Sequence, residues 1–154
     1  MISSIAFVLI AMLQAGETVP NLNLTCVGGG VAKIQTGTSA NASDNYGNSV
    51  TITGTRSDVA EYRSTTDFRI LGGEARIRMP APLLPAIRGG DDGWFKVKNL
   101  KITDATYSGK AAVNFINNPE FSINRFNGTI NVTSKNGSFT GTCEAYDDRA
   151  KQKF

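Results

Sequence analysis

The stretch Phe121–Cys143 constrains the fold more than any other part of the chain. It carries two Asn-Gly pairs, Asn127-Gly128 and Asn136-Gly137, each flanked by alternating apolar and polar residues. Asn-Gly marks a hairpin because a tight primed turn needs positive φ at both central positions, which Asn and Gly adopt at little cost. Taken as two-residue loops, the first pair sets Ile123 opposite Val132 and Arg125 opposite Ile130. The second sets Val132 opposite Gly141, Ile130 opposite Cys143 and Ser134 opposite Phe139. Side chains alternate faces with period two. Phe121, Ile123, Ile130, Val132, Phe139, Gly141 and Cys143 therefore share one face, and Ser122, Asn124, Asn131, Thr133, Thr140 and Thr142 the other. A slip of one residue would mix the two sets. The pattern predicts a three-stranded meander with one buried face, on which Gly141 leaves a gap for a bulky side chain from elsewhere.

The rest of the chain repeats this style. Leu22–Val27 alternates, with Leu22, Leu24 and Cys26 on its inner face. Gly28-Gly29-Gly30 reads as a turn or bulge; it lacks the Lys-Ser/Thr pair of a phosphate-binding loop. Val31–Gln35 reads as a short second strand, Thr36–Asn48 as a polar surface loop and Ser49–Thr55 as a third strand. Val59–Thr65 fits either a strand or an irregular connection. Asp67–Leu71 and Glu74–Met79 form a hairpin around Gly72-Gly73. Pro80, Pro82 and Pro85 then bar a continuing central strand. Arg88–Gly93 is a tight loop. Trp94–Ile102 is a strand whose phase changes, and a bulge near Asn99 would keep Phe95, Val97, Leu100 and Ile102 on one face. Ala105–Phe115 follows, and Asn117-Asn118-Pro119 turns into the meander. About eight or nine strands at this spacing predict an all-β domain, an antiparallel β-sandwich or a small closed β-barrel.

The 154 residues suit one domain, spanning 20–145 and followed by a C-terminal tail at 146–154. Ile5–Leu13 is apolar and Ala15 is a suitable residue before a cut, so residues 1–15 read as a secretory signal peptide, although its start lacks Lys and Arg. No later apolar run is long enough for a transmembrane helix. The expected location is periplasmic or secreted. Two inward-facing cysteines in an exported chain read as a disulfide, Cys26–Cys143, tying the first strand to the last. Such a link favours closure, because a closed sheet leaves no exposed edge. The terminal Phe154 is the residue type of an outer-membrane assembly signal, but no alternating apolar strand precedes it.

The chain contains no histidine. This excludes a Ser-His-Asp or Cys-His nucleophile, a His-ligated zinc and a histidine proton switch. Ser108-Gly109-Lys110 lacks the Ser-x-x-Lys spacing of another nucleophile class. No catalytic residue and no cofactor are assigned. The strongest candidate site is a basic stripe. Arg76 and Arg78 alternate with apolar residues and so point outward, as do Lys96, Lys98 and Lys101 once the bulge is allowed. If the two strands are neighbours, the five cations share a face suited to an anionic envelope component or an acidic protein partner. The net charge of +3 is too mild for a dedicated nucleic-acid binder. Asp91 and Asp92, in a glycine-rich turn, are a second candidate, for Ca²⁺, without the alternating oxygen ligands of a dedicated loop. Asn-x-Ser/Thr occurs at Asn23, Asn41, Asn127, Asn131 and Asn136, where glycosylation needs a eukaryotic secretory route. The expected role is a non-catalytic binding or envelope-associated protein. The alternatives are a small secreted hydrolase using carboxylates, and a secreted enzyme inhibitor using the Pro80–Pro85 or Asp91 loop.

Asp92-Gly-Trp-Phe95, Gly109-Lys110 with Asn114-Phe115, Arg125 with Gly128-Thr-Ile130, Phe139-Thr-Gly-Thr-Cys143 and Lys153-Phe154 together resemble a set of small exported bacterial proteins. The resemblance covers mainly the C-terminal half. It implies export from a bacterium and carries no activity.

Overall fold

Eight strands close into an antiparallel barrel in simple chain order. The structure, a computed structural model, describes residues 19–43 and 49–146, and of residues 35–43 and 49–57 the backbone alone. The strands are β1 (Leu22–Ser43), β2 (Ser49–Leu71), β3 (Glu74–Arg78), β4 (Trp94–Ile102), β5 (Thr106–Ala111), β6 (Glu120–Asn124), β7 (Thr129–Ser134) and β8 (Gly137–Ala145). One 3₁₀ turn, Ala81–Leu83, lies between β3 and β4. The expected signal peptide, the tail beyond Tyr146 and Phe154 lie outside the described residues.

Period-two alternation puts the apolar half of each strand inside. Phe68, Ile70, Ile77, Phe95, Tyr107, Phe121, Ile123, Ile130, Val132 and Phe139 are buried together. An eight-stranded barrel is just wide enough for side chains to fill it, and these do so. Leu83 and Pro80 are fully buried beneath the chain that crosses one end. No helix among the described residues is long and apolar enough to cross a membrane. The inside is apolar, while the outward positions of β3 and β5 to β8 are mostly polar and those of β1 and β2 include the exposed Val27, Val31 and Val59.

The barrel closes where β1 meets β8, from Leu24↔Ala145 to Ala32↔Gly137. Cys26 and Cys143 are directly opposed and joined by a disulfide. Gly28-Gly29-Gly30 is not a turn. It is the middle of β1, paired to β2 on one side and β8 on the other. The seam needs these glycines: a Cβ on Gly28 would collide with the Thr140 carbonyl oxygen, and one on Gly30 with that of Ser138. Tyr62 of β2 is opposite Gly30, and Gly30 is opposite Phe139. The Tyr62 ring stacks on Phe139 with centroids 6.5 Å apart, and its hydroxyl donates to the Ser138 carbonyl at 2.9 Å. The side chain missing at Gly30 is thus replaced by one from the next strand. Burial pushes the Tyr62 phenol up to about 12.

Four expectations change. Thr36–Ser43 is strand rather than loop, and Val31–Gln35, Ser49–Thr55 and Val59–Thr65 belong to β1 and β2, which pair without a break from Leu22↔Ile70 to Ser43↔Ser49. Beyond Ala32 and Lys33 the pair leaves the barrel as a two-stranded arm. Polar composition suggests a loop, but hydroxyl-bearing residues pair readily when each strand is the other's partner. Secondly, Asn127-Gly128 is not a two-residue loop. Asn124 ends β6, its side chain accepts the amides of Phe126 and Asn127 (2.9 and 3.2 Å), and Ile123 is opposite Ile130. Thirdly, the tight loop of the second hairpin is Lys135-Asn136, so Val132 is opposite Phe139 and Ile130 opposite Gly141. Both registers differ from expectation by two residues, which leaves every side chain on its expected face. Lastly, the strand expected over Ala105–Phe115 ends at Ala111 and leaves Phe115 in a loop, while β8 runs to Ala145, where the Tyr146 amide donates to the Asn23 carbonyl. The bulge on β4 stands: register shifts between Lys98 and Lys101, with Asn99 at φ 53°.

Two outcomes follow from the seam. The disulfide closes a loop of 117 residues. Replacing both cysteines with alanine should therefore cost on the order of 5 kcal/mol in the chain-entropy model; equilibrium denaturation checks this, and an unchanged midpoint would contradict it. The folded pKa of Tyr62 lies above its unfolded value of 10.0. Its contribution is therefore complete below pH 10 and is lost as pH rises toward 12. Tyr62→Phe should flatten the loss of stability across that window and remove one late step from the ultraviolet tyrosinate titration.

Candidate anion-binding face

The outer surfaces of β2 to β5 carry the charge. On β3, Ala75 and Ile77 are buried, so Glu74, Arg76 and Arg78 face outward. On β4, Phe95 is buried and Val97 packs on the core, so Lys96 and Lys98 face outward. The bulge at Asn99 then lets Leu100 return to the core while Lys101 stays exposed. Ile102, expected on the core face, is partly exposed where the strand leaves the barrel.

β3 and β4 are neighbours, with Arg76 directly opposite Lys96. Arg76 is also opposite Arg69 of β2. Arg69, Arg76 and Lys96 thus form a row of three cations across three strands. A second pair, Lys98 and Lys110, is opposed across β4 and β5. Like charges directly opposite weaken a sheet, so these rows oppose stability except where another group neutralises them.

Internal neutralisation is partial. Glu74 bonds Arg76 at 2.8 Å, and Glu120 bonds Lys110 at 2.8 Å. Each carboxyl is held below the usual carboxylate range, first by that hydrogen bond and then by the partner's charge. Arg78 lies 3.9 Å from Asp67 and 3.5 Å from Asp92. Arg69 sits over the Trp94 ring, 4.6 Å from its centroid. Lys98 and Lys101 have no ion pair among the described residues. Seven cations (Arg69, Arg76, Arg78, Lys96, Lys98, Lys101 and Lys110) face four carboxylates, an excess of three. The pairs lie at the surface, with Asp67 half-buried and the others more open, where each contributes little to stability.

The bulge opens a depression of about 720 Å³ beside the lysines. Lys101 and Lys110 rim it, and Ser108, Ser122, Asn131 and Thr133 offer hydroxyl and amide groups. Ser108 lies on β5, and Ser122, Asn131 and Thr133 belong to the outer face of the meander.

All five basic residues expected from the sequence lie on this wall. Arg69 and Lys110 extend it and were missed. Period two would have found Arg69, which alternates with the buried Phe68 and Ile70; Lys110 needed the pairing of β4 with β5. Asp91 and Asp92, the second candidate, lie in a tight turn. Asp91 and Trp94 exchange backbone hydrogen bonds at 3.2 and 2.9 Å, and Asp92 and Gly93 take positive φ between them. Asp92 is engaged by Arg78. Among the described residues no three Asp, Glu, Cys or His side chains gather in a way that would hold a metal.

Comparison of the chain with protein-family models, curated proteins and solved structures found no match.

Proposed function

We propose that this chain is an exported, non-catalytic binding domain that docks an anionic component of the cell envelope on the wall formed by β2 to β5. The row Arg69–Arg76–Lys96 carries the reading. Glu74 and the Trp94 ring offset only part of the repulsion among three adjacent cations, and phosphates or carboxylates on a partner would relieve the rest. The disulfide fits an oxidising compartment, consistent with a periplasmic or secreted protein whose leader, residues 1–15, is removed. The filled interior supports recognition on the outer surface rather than within the barrel.

The triple charge reversal Arg76→Glu, Lys96→Glu and Lys98→Glu should weaken retention on immobilised inorganic polyphosphate at low salt by at least tenfold. The wild-type affinity should fall as salt rises, since exposed charges are screened over about 10 Å at 0.1 M. Retention unaffected by the reversals would sink the proposal.

A further inference from the structure

Three large apolar side chains stand almost fully in water at one end of the barrel. Phe115 is 96% exposed, Ile87 84% and Ile116 72%. They sit on two loops, one between β3 and β4 and one between β5 and β6. Scattered exposed residues of this kind are ordinary, but a group of them marks an interaction site.

The loops are fastened to each other. The Gly89 amide donates to the Val113 carbonyl at 3.0 Å, and the Asn114 side-chain amide donates to the Ile87 carbonyl at 3.0 Å. The same Asn114 side chain accepts the amides of Ile116 at 2.9 Å and Asn117 at 2.6 Å. One amide group thus fixes both loops, with the apolar side chains outward while Val113 and Leu83 go inward. The apolar tips are held in place rather than left loose.

Positive charge surrounds them. Arg88 follows Ile87. Lys110 and Lys135 line the depression that also contains Ile116. Lys96 accepts the Ala112 amide through its carbonyl, which brings the basic wall up to this end. Of the acids nearby, Glu120 is paired to Lys110 and Asp92 to Arg78. Asp91 is left as the countercharge.

We infer that this end of the barrel inserts Ile87, Phe115 and Ile116 into the interface of an anionic lipid bilayer. The inference rests on the anionic docking proposed above and makes the bilayer the partner. Apolar tips flanked by Lys and Arg combine the two attractions that hold a protein at a charged membrane surface. Phe115 and Ile87 project into water, and Ile116 stands exposed at the edge of the depression it shares with Lys110 and Lys135. A bilayer accepts projecting groups without a matching shape. A protein partner would need a matching cavity, and three side chains fall short of the roughly 800 Å² per partner of a stable protein interface.

The test is sedimentation of the disulfide-bonded protein with vesicles of phosphatidylcholine alone, and of phosphatidylcholine and phosphatidylglycerol in equal parts. Wild type should bind the anionic vesicles and not the neutral ones. Ile87→Ser, Phe115→Ser and Ile116→Ser combined should lower that binding at least tenfold. The same variant should keep its melting temperature and its retention on polyphosphate, and Phe115→Leu alone should bind nearly as wild type does. Anionic-vesicle binding unchanged in the serine variant would overturn the inference while leaving the basic wall intact. So would no wild-type binding to either vesicle, or self-association of wild type that the serine variant loses with no change in vesicle binding. Polyphosphate retention unchanged by the wall reversals would instead count against the underlying proposal.

Discussion

The close approach of β1 and β8 is the contact on which the rest of the molecule depends. These strands stand at opposite ends of the described chain, and no turn brings them together. The disulfide between Cys26 and Cys143 joins them covalently, and glycine at positions 28 and 30 lets the backbones come near enough to pair. Tyr62 then covers the space that the glycines leave open. Without closure, β1 and β8 would each present an unpaired edge, open to association with other chains. With it, β2 to β5 are held as a curved wall that starts beside the seam at β2 and runs round to the opposite side of the barrel.

How far the sequence disclosed this can be followed in particular residues. Alternation correctly sorted Ile130, Val132 and Phe139 from Asn131, Thr133 and Thr140. It could not separate registers that differ by two, because a two-residue shift preserves every face. The true loops were set by local bonds that composition does not display, such as the Asn124 side chain holding the Phe126 and Asn127 amides. Gly28–Gly30 misled because glycine usually marks a turn, whereas here it serves a close approach between strands. The arm misled for the opposite reason: its Ser, Thr and Asn residues suggest a solvated loop, yet β1 and β2 supply each other's backbone partners.

The basic wall shows the same division. Each strand's outward cations were legible from alternation and from the bulge at Asn99. The adjacency of Arg69, Arg76 and Lys96 is a property of strand order and register, and pairing of the strands was needed to reveal it. The apolar end was harder still. Ile87, Phe115 and Ile116 carry no periodic signal, and their grouping depends on the bonds of Asn114 across two loops. Cations along one wall and apolar tips at the adjoining end give the exterior a direction, while the interior carries the stability.

The most direct test of this account is residue-resolved NMR of the disulfide-bonded protein titrated with soluble inorganic polyphosphate. The account predicts amide shift changes concentrated on β2 to β5, centred on Arg76, Lys96, Lys98 and Lys110, with the β7–β8–β1 side unchanged. Changes centred on the seam, or spread evenly over the barrel, would contradict it.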